Sequence, residues 1–106
     1  MVTYEEFRKL EIKVAKIQEV TEHPNADRLY VLKIDLGDSQ RQIVAGIRNS
    51  YKPEELVGKQ AAVIINLEPA VIRGIESQAM LLAASDENGV VILTPQREVK
   101  VGSTVK

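Results

Sequence analysis

The sequence predicts an all-β domain: a small five-stranded barrel, with one short helix between the third and fourth strands and small extra elements at both ends. Three observations carry that reading. Short runs of alternating apolar and polar residues recur, most clearly at 29–36. Turn-forming clusters such as Gly37-Asp38-Ser39 and Asp86-Glu87-Asn88-Gly89 interrupt the chain at close intervals. Helix-start chemistry is confined to the neighbourhoods of Thr3 and Pro53. The chain of 106 residues is enough for one core and too short for two, so residues 1–106 are read as a single domain with 85–106 as a C-terminal extension.

Thr3-Tyr4-Glu5-Glu6 fits a capping box, in which the threonine hydroxyl accepts an amide and the glutamate reaches back, so a short helix is expected from Tyr4 to about Leu10. The first strand follows from Glu11, with Ile12 and Val14 alternating with charged neighbours. Ile17 and Val20 continue it after a phase slip placed near Ala15, where a bulge is expected. His23-Pro24-Asn25-Ala26-Asp27 is a loop, because Pro24 lacks an amide donor and Asn and Asp favour turns. Leu29 to Leu36 is the second strand, with Tyr30, Leu32, Ile34 and Leu36 on one face. Gly37-Asp38-Ser39 turns it into a third strand, Arg41 to about Ile47.

Pro53, acids after it and Gly58 beyond mark a single helical turn within Tyr51–Gly58. Gln60 to Leu67 is apolar enough for a central strand buried on both sides. Residues 68–79 read as an irregular connection, Met80 to Ala84 as a strand, and Val90 to Leu93 as its partner across the Asp86–Gly89 turn. The tail around Val99-Lys100-Val101 is short and weakly apolar. Three strands, a helix and at least two more strands is the order of an OB-type barrel.

Composition removes whole classes of function. With no Cys and one His, a disulfide scaffold, a Cys-ligated zinc or iron–sulfur site and a multi-histidine metal centre are excluded, and no cofactor or metal is expected. The longest apolar run, Ala61–Ile65, is far below the roughly 20 residues of a bilayer span, and a soluble, intracellular protein is expected. Net charge of −1 rules out a polybasic chain, so any anion site is a local patch. No phosphate loop, dinucleotide fingerprint or nucleophile elbow occurs. His23 with Asp27 suggests a base and its orienter, but no nucleophile or oxyanion donors accompany them, and loop-shaping is the better reading. Asp35, Asp38, Glu68 and Glu76 read as solvated acids rather than a catalytic pair. Tyr4, Phe7, Tyr30 and Tyr51 are the only aromatics and do not form a base-stacking row. Arg28, Lys33, Arg41, Arg48, Lys52 and Arg73 remain as cations that could touch the phosphates of a folded RNA, or serve solubility alone.

Two stretches are more specific than composition: His23-Pro24-Asn25-Ala26-Asp27-Arg28-Leu29-Tyr30 onward to Gly37, and Asn66-Leu67-Glu68-Pro69 with Arg73-Gly74-Ile75-Glu76-Ser77-Gln78-Ala79-Met80 onward to Ala84. They resemble the signature of the tRNA-binding OB domain family, and Val44-Ala45-Gly46-Ile47 and Tyr51–Leu56 are similar to its third strand and helix. That family is appended to the C-terminus of bacterial methionyl-tRNA synthetase, serves as a detached beta subunit of that enzyme, stands free as a tRNA-binding protein, and occurs in cytokine-like synthetase cofactors of eukaryotes. The resemblance implies a non-catalytic, cytoplasmic module whose partner is tRNA, held at its outer corner without reading of the anticodon. It also implies a homodimer using the segments outside the barrel, 85–106 included, and the methionyl-tRNA synthetase catalytic subunit as a further partner.

Carried over residue by residue, the resemblance implies Arg28, Lys33 and Arg73 as phosphate contacts and Ser77 and Met80 at the S-x-x-M positions of the RNA surface. Ser77 could equally cap a turn, and Met80 begins a strand where burial is as natural. Gly74 is expected to shape the loop. The chain departs from the family in one place: Ala70-Val71-Ile72 stands where one or two basic residues are usual, which should weaken binding and flatten its salt dependence by up to about two counterions. A second reading within the same fold is a dimeric protein-binding module like the secretion chaperones. That branch usually lacks the intact His-Pro-Asn-Ala-Asp run, which favours the synthetase branch here.

Overall fold

The structure, a computed structural model, describes residues 1–106. The expected capping box forms: the Thr3 hydroxyl accepts from the Glu6 N–H at 3.2 Å, and the Glu6 carboxylate accepts from the Thr3 N–H at 3.2 Å. The helix α1 it starts is a single turn, Tyr4–Phe7, shorter than expected, and buries none of its side chains. With no face against the barrel, nothing extends it.

β1 (Ile12–Glu22) is the spine of the sheet. It pairs antiparallel with β2 (Tyr30–Asp35), with β4 (Gln60–Ile64) and with the two-residue β10 (Thr104–Val105). Its register shifts between Ile17 and Glu19, so the bulge falls at Gln18 and not near Ala15. The reason is that β1 has two buried faces. Ala15 and Ile17 point into the barrel, whereas Ile12 packs outside it with Ala62 and Ile64. The slip seen in the sequence is the change from the outer apolar face to the inner one. β4 shares this arrangement, Ala61 and Val63 facing in and Ala62 and Ile64 facing out, as its unbroken apolar run requires.

β2 and β3 (Gln40–Ala45) form the expected hairpin, and α2 (Pro53–Leu56) is a single turn whose Leu56 is fully buried in the barrel core with Ile17, Leu32, Ile34, Ile43 and Val63. The connection at 68–79, expected to be irregular, contains a second hairpin, β5 (Ala70–Ile72) paired with β6 (Ile75–Ser77). Its two turn residues, Arg73 and Gly74, both have positive φ, 52° and 89°. Such a turn matches the twist of paired strands, but arginine is an unusual first residue for it, so the turn was not recognisable from residue type.

The strand expected over Met80–Ala84 divides. β7 (Met80–Leu81) pairs with β4 as the fifth barrel strand, and β8 (Ala83–Asp86) leaves to pair with β9 (Gly89–Ile92) as a separate hairpin. The sheet order is β3-β2-β1-β4-β7. Closure back to β3 combines main-chain and side-chain bonds: the Gln78 N–H donates to the Gln42 carbonyl at 2.8 Å, and the Gln42 N–H to the Gln78 side-chain oxygen at 3.0 Å. The result is a nearly closed five-stranded OB-like barrel, with the helix between strands three and four. The tail is anchored more firmly than its composition suggested. Gln60 holds Val99 through both main-chain polar groups, and Gly102 has φ 88° with no room for a Cβ, which would lie 2.5 Å from the Leu36 carbonyl oxygen. No helix is long and apolar enough to cross a membrane.

Candidate nucleic-acid interface

Two connections meet at one end of the barrel: the loop between β1 and β2, and the β5–β6 hairpin between β4 and β7. These are the loops with which OB barrels flank a ligand lying on strands two and three. Here they are bound to each other through His23. Its side chain is 2% exposed, Nδ1 accepts from the Asn25 N–H at 3.0 Å, and Nε2–H donates to the Ile72 carbonyl at 3.0 Å. The first bond assigns the tautomer, because only an unprotonated Nδ1 accepts. Both nitrogens are committed to main-chain groups, so His23 shapes the loop, the better of its two sequence readings.

Arg73 completes the tie from the other side, its guanidinium donating to the Asn25 carbonyl at 2.9 Å. That acceptor is neutral, so the charge of Arg73 stays uncompensated at the surface. Arg28 lies three residues further along the same loop, exposed, with a guanidinium that makes no bond within the fold. Sequence reasoning counted Arg48 only among scattered cations, yet it supports this loop: its guanidinium donates to the Ala26 carbonyl at 3.1 Å and pairs with the Glu22 carboxylate at 2.6 Å. Only tertiary proximity identifies it, since Glu22, Ala26 and Arg48 share no local motif. Arg41 is also committed, to the carbonyls of Ile65 and Gln78.

The other three candidate residues lie apart from this pair. Lys33 stands on the outer face of β2, its ammonium 3.9 Å from the Glu19 carboxylate with both side chains well exposed, a pairing that solvent screens. Ser77 is only 6% exposed; its hydroxyl accepts from the Val44 N–H at 3.0 Å and donates to the Ala79 carbonyl at 3.0 Å. It thus helps close the barrel between β3 and β6. Met80 is 51% exposed and lines an apolar groove of about 420 Å³ bounded by the end of β3, the β5–β6 hairpin and β7. Of the two placements open to Met80, the structure takes the surface one. Among the acids, Asp35 accepts from the Gly37 N–H at 2.8 Å and Asp38 from the Ser39 hydroxyl at 3.1 Å, both inside the β2–β3 turn.

A five-stranded barrel of this order, with arginine-bearing loops locked together beside strands two and three, defines an oligonucleotide-binding type of β-barrel. The particular family follows from comparison. The family described as "Putative tRNA binding domain" matches residues 12–104, and the chain belongs to it. The methionine–tRNA ligase of Thermococcus kodakarensis is 56% identical over 105 residues, covering 99% of this chain and 14% of the ligase. Among solved structures, a MetRS-related protein from Pyrococcus horikoshii superposes with a TM-score of 0.92 at 36% identity, covering 100% of this chain and 98% of that one. A CsaA chaperone protein from Picrophilus torridus superposes with a TM-score of 0.94 at 34% identity, covering both chains completely. The chain thus spans about a seventh of the ligase it matches.

Proposed function

We propose that the chain is a non-catalytic tRNA-docking module that grips the outer corner of tRNA by shape and phosphate contacts, working as the C-terminal domain or detached beta subunit of a methionyl-tRNA synthetase. The observation that carries the reading is the joint fixing of the β1–β2 loop and the β5–β6 hairpin by His23 and Arg73, which holds the charges of Arg28 and Arg73 on one pre-organised surface. A fixed backbone under the two side chains lowers the ordering cost of meeting a phosphate ribbon, and a folded RNA presents such ribbons at fixed spacing. Arg28, Lys33 and Arg73 are assigned as the phosphate contacts and Met80 as an RNA-surface contact. Ser77 is assigned as a positioning residue, since its hydroxyl is spent on barrel closure. A tRNA partner puts the work in the cytoplasm.

With three cations to offer, binding should be weak and only moderately salt-dependent, with a log–log slope of about −2 to −3 per chain. Anisotropy titration with folded tRNA and with an unstructured strand of equal length checks this. Tighter binding of the folded RNA with that slope is the expected result; equal affinities or salt-independent binding would contradict it. The alternative reading, a chaperone-like protein-binding module, draws on the apolar groove and on the likeness to the CsaA chaperone protein. It requires suppression of client aggregation that tRNA does not compete away.

A homodimer belongs to the same proposal. α1 buries none of its side chains, and Tyr4, Phe7 and Leu10 on the N-terminal segment, with Leu93 and Val105 on the C-terminal extension, leave apolar surface in water. Light scattering coupled to size exclusion is expected to return twice the 11.8 kDa chain mass, and Tyr4→Glu with Phe7→Glu to return the single mass. A single mass for the unaltered chain would overturn this part.

A further inference from the structure

Resting on the tRNA reading above, we propose that the apolar groove beside the β5–β6 hairpin receives an unstacked base of the RNA, with Leu67 and Met80 as its contact side chains. The groove is continuous with the cationic surface: Ile72 forms part of its wall, and the next residue, Arg73, carries the candidate phosphate contact. In this placement a backbone phosphate sits on Arg73 and a neighbouring base in the groove. At about 420 Å³ the space falls in the range of sites that enclose small ligands.

Charge accounting also asks for such a contact. The strand leading into Arg73 is Ala70-Val71-Ile72, with Val71 72% exposed, so this strand offers RNA only apolar atoms, while Arg73 is the hairpin's one cation and the exposed Glu76, paired across from Val71, its one carboxylate. Apolar side chains cannot hold phosphate but can cover the face of a base, which is equally apolar for every nucleotide. Polar capacity in the groove is small: the Ser77 hydroxyl is already used twice, the exposed Glu68 carboxylate can only accept, and the Gly46 N–H, exposed at the rim, makes no bond within the fold. A single donor suits one acceptor on a base edge. A peptide adding as a strand would need successive free main-chain groups on the β3 edge, and Gln78 and Ser77 already occupy that edge at Gln42 and Val44.

The test is the double variant Leu67→Gln, Met80→Gln. Both side chains are partly exposed, 40% and 51%, so the barrel core is untouched. Folded tRNA is expected to bind about ten-fold more weakly at every salt concentration, with the salt slope unchanged, and a base in the corner loops protected from dimethyl sulfate by the unaltered protein is expected to become reactive. Val71→Lys, which adds a cation outside the groove, is expected to steepen the slope by about one and leave that base protected. Binding of tRNA by the unaltered chain with no protected base, or an unchanged affinity in the double variant, would overturn the groove assignment while leaving the docking reading intact. Loss of client binding with full tRNA binding would give the groove to protein and equally overturn it. No tRNA binding by the unaltered chain would sink both.

Discussion

Replacing Arg28 and Arg73 together by Ala is expected to weaken binding of folded tRNA by about 1–3 kcal/mol and to reduce the salt slope by about two. The magnitude follows from what the two side chains do. Neither is buried; Arg28 bonds to nothing in the fold, and Arg73 makes one exposed bond to a neutral carbonyl. Their charge is therefore available to phosphate and contributes little to folding. A thermal midpoint close to that of the unaltered protein is expected beside the lost affinity, and this separates a binding role from a structural one. Arg73→Lys is expected to retain the salt slope while losing part of the affinity, because an ammonium supplies the charge without the planar fork. Full affinity in the double Ala variant would remove the phosphate assignment.

His23→Ala is expected to destabilise the fold by about 2–5 kcal/mol and to impair tRNA binding at temperatures where the protein remains folded. The imidazole sits almost completely buried between the β1–β2 loop and the β5–β6 hairpin. Its loss leaves the Asn25 N–H without its partner, cuts the loop's bond to the Ile72 carbonyl and opens a cavity between loop and hairpin. For a domain of this length, 1 kcal/mol moves the midpoint by roughly 4–8 °C, so a fall of roughly 10 °C or more is expected in a thermal melt. His23→Gln, which can still donate and accept, should recover part of both properties. A melt unchanged by His23→Ala would show that loop and hairpin do not depend on this tie, and with that the pre-organisation of Arg28 and Arg73 would fail.

Much of the barrel was legible along the chain. The alternation of Tyr30, Leu32, Ile34 and Leu36 specifies a half-buried strand, since a period of two leaves no other way to bury one face. The unbroken Gln60–Leu67 run specifies a strand covered on both sides. The Thr3–Glu6 box and Pro53 mark both helix starts because the chemistry of capping lies within four residues. The family was legible too, in the His23–Gly37 and Asn66–Ala84 stretches.

What the chain order left undecided depends on contacts between residues far apart in sequence. Whether the phase slip near Ala15 marked a bulge or a change of buried face depended on there being a second, outer cluster of Ile12, Ala62 and Ile64; the face changes there, and the bulge lies at Gln18. The β5–β6 hairpin escaped notice because its turn places an arginine at positive φ, and its short strands are held by neighbours more than by their own propensity. The roles of Ser77, Arg41 and Arg48 were likewise set by partners 22 to 37 residues away, which no spacing rule foretells. Sequence alone determined which residues are strand, turn and cation, because propensity and periodicity act over a few neighbouring residues. The tertiary structure decided which cations remain free and which are consumed as struts, because that depends on where closure of the barrel brings distant carbonyls.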